Sequence, residues 1–271
     1  MRQLVIFSLL LLSACGNQTA AGGFGESLWQ GNYFVQETFD NSRWEDGLIR
    51  ARVDGEWQDY ELIDLPESFL NWNLNARLAT LEGIMSGEMP GLDGPHNAMV
   101  ATSGFRREDS RFSLNNAVKG TGFLPRKEKL PEVIELLKST YEEDYPRKIE
   151  VLQGLYEQGD SLFDLSRQIS LELYSKPERG TQTFLNQMVN PVSVIVFLDI
   201  PTFKLKTINY LLHPDNPDLT EYEKNIVEYV NLVHSYFHGH FDRDFITVVY
   251  NIIEVYNSSP GTENGRGTRI E

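Results

Sequence analysis

FDRDFITVVYNIIEVY, residues 241–256, is the stretch on which the fold turns. It is rich in β-branched residues, which favour strands. It is also long enough for a buried helix, and apolar side chains all round it remove the period that would separate the two. The shorter run 192–198 (VSVIVFL) carries the same ambiguity. The segments around both have plainer helical marks, and the two runs are read with them.

Just upstream, Thr220-x-x-Glu223 forms a capping box, in which each side chain satisfies the other's free backbone amide. It starts a helix through Phe237. Residues 213–219 (HPDNPDL) are a turn. Helices are expected over 131–141, 146–158, 160–174, 181–189 and 202–212. Further back, Leu70, Leu74, Leu78, Leu81 and Met85 step by three and four, predicting a helix over 65–85. Before it, residues 48–53 and 56–63 flank Asp54-Gly55, the dipeptide that favours a two-residue type I′ hairpin turn. That register sets Arg50 opposite Asp59 and Arg52 opposite Trp57, with Ile49 and Ala51 on the inward face. Residues 98–105 read as another strand. Four tryptophans lie between Trp29 and Trp72 and read as local core.

The fold class expected is α+β and predominantly α-helical. A small N-terminal region containing the β-hairpin (28–105) precedes an irregular basic loop (106–130), a helical C-terminal region (131–256) and a disordered tail (257–271).

The N-terminus reads differently. Arg2 precedes an apolar run from Leu4 to Leu12, too short to span a bilayer, and Leu12-Ser13-Ala14-Cys15 closes it. This segment resembles the export signal of bacterial lipoproteins, with residues 1–14 as signal peptide. The resemblance covers about the first 16 residues. It implies cleavage before Cys15 and acyl chains on the sulfur and the new amino group. It also implies a lipid-anchored place in the cell envelope. Gly16, in place of the Asp that favours inner-membrane retention, tilts the expectation to the periplasmic face of the outer membrane. Two or three acyl chains hold a protein to a bilayer for practical purposes irreversibly. Residues 15–27 are small and polar and form a tether, with a reach of roughly 20 Å over about 12 residues.

Cys15 is the single cysteine. Acylated as the resemblance implies, it leaves the mature chain no thiol for a disulfide, a nucleophile or a metal site. The formal charge of −15 repels nucleic acid and suits a basic protein partner. Charge is uneven: residues 106–148 hold ten Lys/Arg against eight Asp/Glu. Arg106, Arg107, Arg111, Arg126, Lys127 and Lys129 are the candidate basic binding patch.

Three of the five histidines fall within residues 234–240. His234 and His238 are one turn apart on the helix from Thr220, and Gly239 turns His240 and Asp242 back toward them. These four residues are the candidate metal site, with zinc the candidate cofactor against none at all. Ser235 stands where a zincin has its catalytic Glu, so that family is not assigned. No nucleophile elbow, P-loop or dinucleotide fingerprint occurs. The function expected is a non-catalytic binding or structural protein of the envelope. The alternatives are a metal-dependent hydrolase built on His234, His238 and His240, and an immunity protein that binds a basic toxin.

Overall fold

The computed structural model describes residues 25, 27–91, 93–261 and 267–271. The decisive stretch is extended: Ile246–Asn257 is a strand inside a large antiparallel sheet. In chain order the strands are β1 (Trp29–Gln30), β2 (Tyr33–Phe34), β3 (Phe39–Asp40), β4 (Leu48–Val53) and β5 (Glu56–Glu61). Helix α1 (Glu67–Met85) follows, then β6 (Asn97–Thr102), β7 (Asn115–Gly120) and β8 (Gly122–Pro125). Helices α2 (Leu130–Ser139) and α3 (Tyr145–Tyr156) lead to β9 (Phe163–Glu172), α4 (Gln182–Val189), β10 (Val192–Val196) and β11 (Phe203–Leu212). The chain ends with α5 (Glu221–His238), β12 (Ile246–Asn257) and β13 (Thr268–Arg269).

The large sheet runs β7-β6-β10-β11-β12-β9-β8, with β13 paired to the end of β12. Its two outermost strands, β7 and β8, are consecutive in the chain, with Thr121 alone between them. The sheet therefore curls until its flanks meet. Lys119 on β7 reaches across to Glu172 on β9, Nζ to Oε2 2.7 Å, and the Glu172 side chain is fully buried.

The predominantly helical α+β expectation is thus overturned. Residues 160–174 and 202–212, expected to be helices, supply β9 and β11, and the run 241–256, placed in the helical region though open to either reading, supplies β12. The ambiguous run at 192–198 supplies β10. The expected irregular loop at 106–130 contains β7 and β8, and β13 takes the end of the expected disordered tail. The physical cause is burial on both faces. Along β12 every residue from Ile246 to Asn251 is buried, and so is every residue of β11 from Thr207 to Leu212. A strand packed on both faces loses the alternation by which strands are read.

Other readings hold in detail. Thr220 and Glu223 make the reciprocal capping box that opens α5. The Asp54-Gly55 hairpin pairs Arg50 with Asp59 and Arg52 with Trp57, and Asp54 and Gly55 both have positive φ, at 51° and 89°. Ile49 and Ala51 face the core. The cation over the Trp57 ring is the diagonal neighbour Arg50, 5.9 Å from the centroid. Trp44 is fully buried and donates from Nε1 to Asn251 Oδ1 (2.6 Å), whereas Trp57 is exposed.

Candidate functional site

The three helices α1, α3 and α5 converge over the Gly120–Thr121–Gly122 junction. Between them and the sheet lies a cleft of about 310 Å³, within the range of small-molecule sites. Leu81, Ile84, Phe123, Leu152, Ile169, Val233 and Phe237 make its walls apolar. Polar groups come from Arg77 and Thr80 on α1, His96 and Asn97 at the start of β6, Thr121, Tyr156 on α3, and Tyr229, His234 and His238 on α5, with the Thr121 and Tyr229 hydroxyls donating to the Pro95 and Phe123 carbonyls.

Arg77 is the central feature. It sits on the inward face of α1, in line with Leu70, Asn73 and Leu81, and is 1% exposed. Its Nε donates to Asn73 Oδ1 at 2.6 Å. One terminal nitrogen donates to the carbonyls of Pro95 (2.6 Å) and Thr121 (2.8 Å). The other meets His96 Nδ1 at 3.1 Å and the Tyr156 hydroxyl at 3.4 Å. All five N–H groups of a guanidinium are thereby used. The cation also lies over the rings of Phe123 (5.4 Å) and Tyr156 (5.6 Å). Among the described residues no carboxylate pairs with it, although buried charges are ordinarily paired.

His96 is fixed by this contact. Arginine can only donate, so Nδ1 of the neutral ring accepts and the proton resides on Nε2. That Nε2–H is buried and has no acceptor. Burial, with the Arg77 charge and then His238 adding to it, pulls the His96 pKa down to about 3. His234 has the opposite tautomer: its Nδ1 is 2.8 Å from the Val230 carbonyl and donates to it, leaving Nε2 as an acceptor. Burial holds its pKa down to about 4, against the Val230 bond that raises it. Gly120 leaves the space in front of this ring. A Cβ there would lie 3.9 Å from both His234 Nε2 and the His96 carbonyl oxygen.

The structure splits the expected metal site. His234 and His238 both line the cleft, but His238, His240 and Asp242 are solvent-exposed around Gly239, whose φ is 95°. Among the described residues no three His, Cys, Asp or Glu side chains are placed to hold a metal ion. The ring that joins His234 and His238 is His96, far away in sequence.

The basic patch is also divided. Arg106 and Arg111 are exposed in the β6–β7 loop, and Arg107 pairs there with Asp109 (2.6 Å). Beyond the other end of β7–β8, Arg126 donates to the Asp160 carbonyl (3.0 Å) and Lys129 faces Glu132 at 3.5 Å. Lys127 pairs with Glu45. Cys15 lies outside the described residues. Sequence reasoning missed Arg77 and His96. The signal for Arg77 was a charge set at helical spacing within an apolar stripe; His96, in the loop 86–97, had none.

No known protein family and no curated protein matches the chain. Among solved structures, it is similar to a Clostridium acetobutylicum protein described as related to general stress protein 26 of B. subtilis (pyridoxinephosphate oxidase family). The two are 11% identical over 76% of this chain and 96% of the other, with a TM-score of 0.36.

Proposed function

We propose that this chain is a lipid-anchored protein of the cell envelope that binds a small molecule in the Arg77 cleft without transforming it. The carrying observation is the cleft itself: apolar walls around a buried guanidinium that has no carboxylate partner among the described residues. Its chemistry favours holding over turnover. No serine or cysteine is among the lining residues. The Thr80 hydroxyl is spent on the Ala76 carbonyl at 2.8 Å. An imidazole with a pKa of about 4, as at His234, is a weak general base at neutral pH. The anchoring half of the reading rests on Leu12-Ser13-Ala14-Cys15.

The test is made on protein purified from membranes of its native host. Mass spectrometry is expected to find Cys15 as an acylated N-terminus and a small molecule released when the protein is denatured. The variant Cys15→Ser is expected in the soluble fraction or as uncleaved precursor. An intact residue 1–14 segment in the wild-type protein overturns the anchor. A chemically altered product after incubation with the released molecule overturns the non-catalytic role.

A further inference from the structure

We infer that the ligand of the cleft is an organic monocarboxylate with an apolar body, its carboxylate accepting the Nε2–H of His96 in front of Arg77. The inference deepens the binding reading above and rests on it. Three observations carry it. First, a buried cation without a carboxylate partner sets a positive potential in a region of low dielectric, so a bound anion is favoured over a neutral molecule. Second, every N–H of Arg77 is already engaged. Arg77 therefore supplies charge, while the hydrogen bonds come from its neighbours: the Tyr156 hydroxyl proton, and above all His96 Nε2–H, a buried donor left without an acceptor. An unmet buried donor is a standing cost that a ligand removes. Third, the remaining surface is mostly hydrocarbon, with Phe123, Tyr156 and Phe237 supplying rings.

The count of donors narrows the anion. A phosphate carries three acceptor oxygens and about two charges, and requires several convergent donors. The His96 Nε2–H and the Tyr156 hydroxyl proton, beside one charge with no N–H to spare, match the two oxygens of a carboxylate. The apolar walls then exclude small hydrophilic acids, which would leave them unfilled.

The experiment uses the mature lipidated protein in lipid nanodiscs, with empty nanodiscs as blank, and titration calorimetry. The probes are 4-phenylbutanoate, the neutral 4-phenylbutan-1-ol and inorganic phosphate. The acid is expected to bind at least tenfold tighter than the alcohol, and phosphate at millimolar concentration not to displace it. His96→Asn places an acceptor near the Nδ1 position for Arg77 but removes the Nε2–H. It is expected to bring the acid-to-alcohol ratio below about threefold, because the charged acceptor loses more than the neutral hydroxyl when the donor is removed. Gly120→Val fills the space before His234 and is expected to weaken both probes at least tenfold. Equal binding of acid and alcohol, failure of both to bind, displacement by phosphate, or an unchanged ratio in His96→Asn overturns the inference. Finding Cys15 unacylated overturns the anchoring proposal instead, and the same titrations are then read on the protein as purified, without nanodiscs.

Discussion

At the scale of single residues, the described imidazoles that face inward are held neutral. Burial is the main cause for His96, His213 and His234, whose pKa values fall to about 3, 4 and 4. At His213 Asp215 works against burial and Arg243 with it. Each folded value lies below the unfolded value of about 6.5. Between those limits the unfolded chain binds more protons, so stability is present above about pH 6.5 and is lost on acidification toward pH 4. The urea midpoint is therefore expected to fall steadily from pH 7 to pH 5. His234→Gln, which keeps a donor for the Val230 carbonyl, is expected to flatten that decline. A midpoint independent of pH would refute the assignment. Residue types were the least legible layer. The place of Arg77 within an apolar stripe hinted at burial, but four of its five bonds come from Pro95, His96, Thr121 and Tyr156, all outside its own helix and its local sequence window.

At the scale of elements, local chemistry was readable wherever a turn or cap decides it. The box at Thr220 and Glu223 is self-contained in four residues, and Asp54-Gly55 needs only two positive φ angles. Glu223 does more than cap: its Oε1 accepts from the Tyr210 hydroxyl at 2.7 Å and from Asn41 Nδ2 at 2.8 Å, tying α5 to β11 and the N-terminal region. Thr220→Ala is expected to cost about 1 kcal/mol, the usual worth of an N-cap. Glu223→Ala is expected to cost more, since it also leaves the buried Tyr210 hydroxyl without its acceptor. Chemical denaturation of both variants checks the order, and the reverse order would show that the cross-links to β11 matter less than the cap. The long strands were harder to read. β9, β11 and β12 run to ten or twelve residues and are buried on both faces over most of that length. Only the start of β11 alternates visibly, with Phe203 and Leu205 buried and Lys204 and Lys206 turned out. What separated strand from helix there was pairing with distant segments, which no local window contains.

At the scale of the whole molecule, one buried ion pair bridges the two flanks of the large sheet. Lys119 and Glu172 join β7 to β9, and Ser175 Oγ donates to the free carboxylate oxygen at 3.2 Å. Removing either partner strands a buried charge, at a cost of about 3 kcal/mol or more. Lys119→Met alone is expected to destabilise the fold by that amount. The double variant Lys119→Met/Glu172→Leu is expected to recover most of the loss, because a well-packed apolar pair replaces a buried ion pair at little net cost. A double variant no better than the single one would mean that the charges, and not the packing around them, hold the flanks together.

Thr121 hands the chain from one flank of the large sheet straight to the other. Those flanks are short, six residues in β7 and four in β8. A stranger's strand laid alongside would find few vacant amides to copy, and templated addition of that kind is how fibrils and swapped multimers begin. The bend at Gly120–Gly122 thus does two things, leaving a cleft on the inside and denying a foothold for aggregation on the outside.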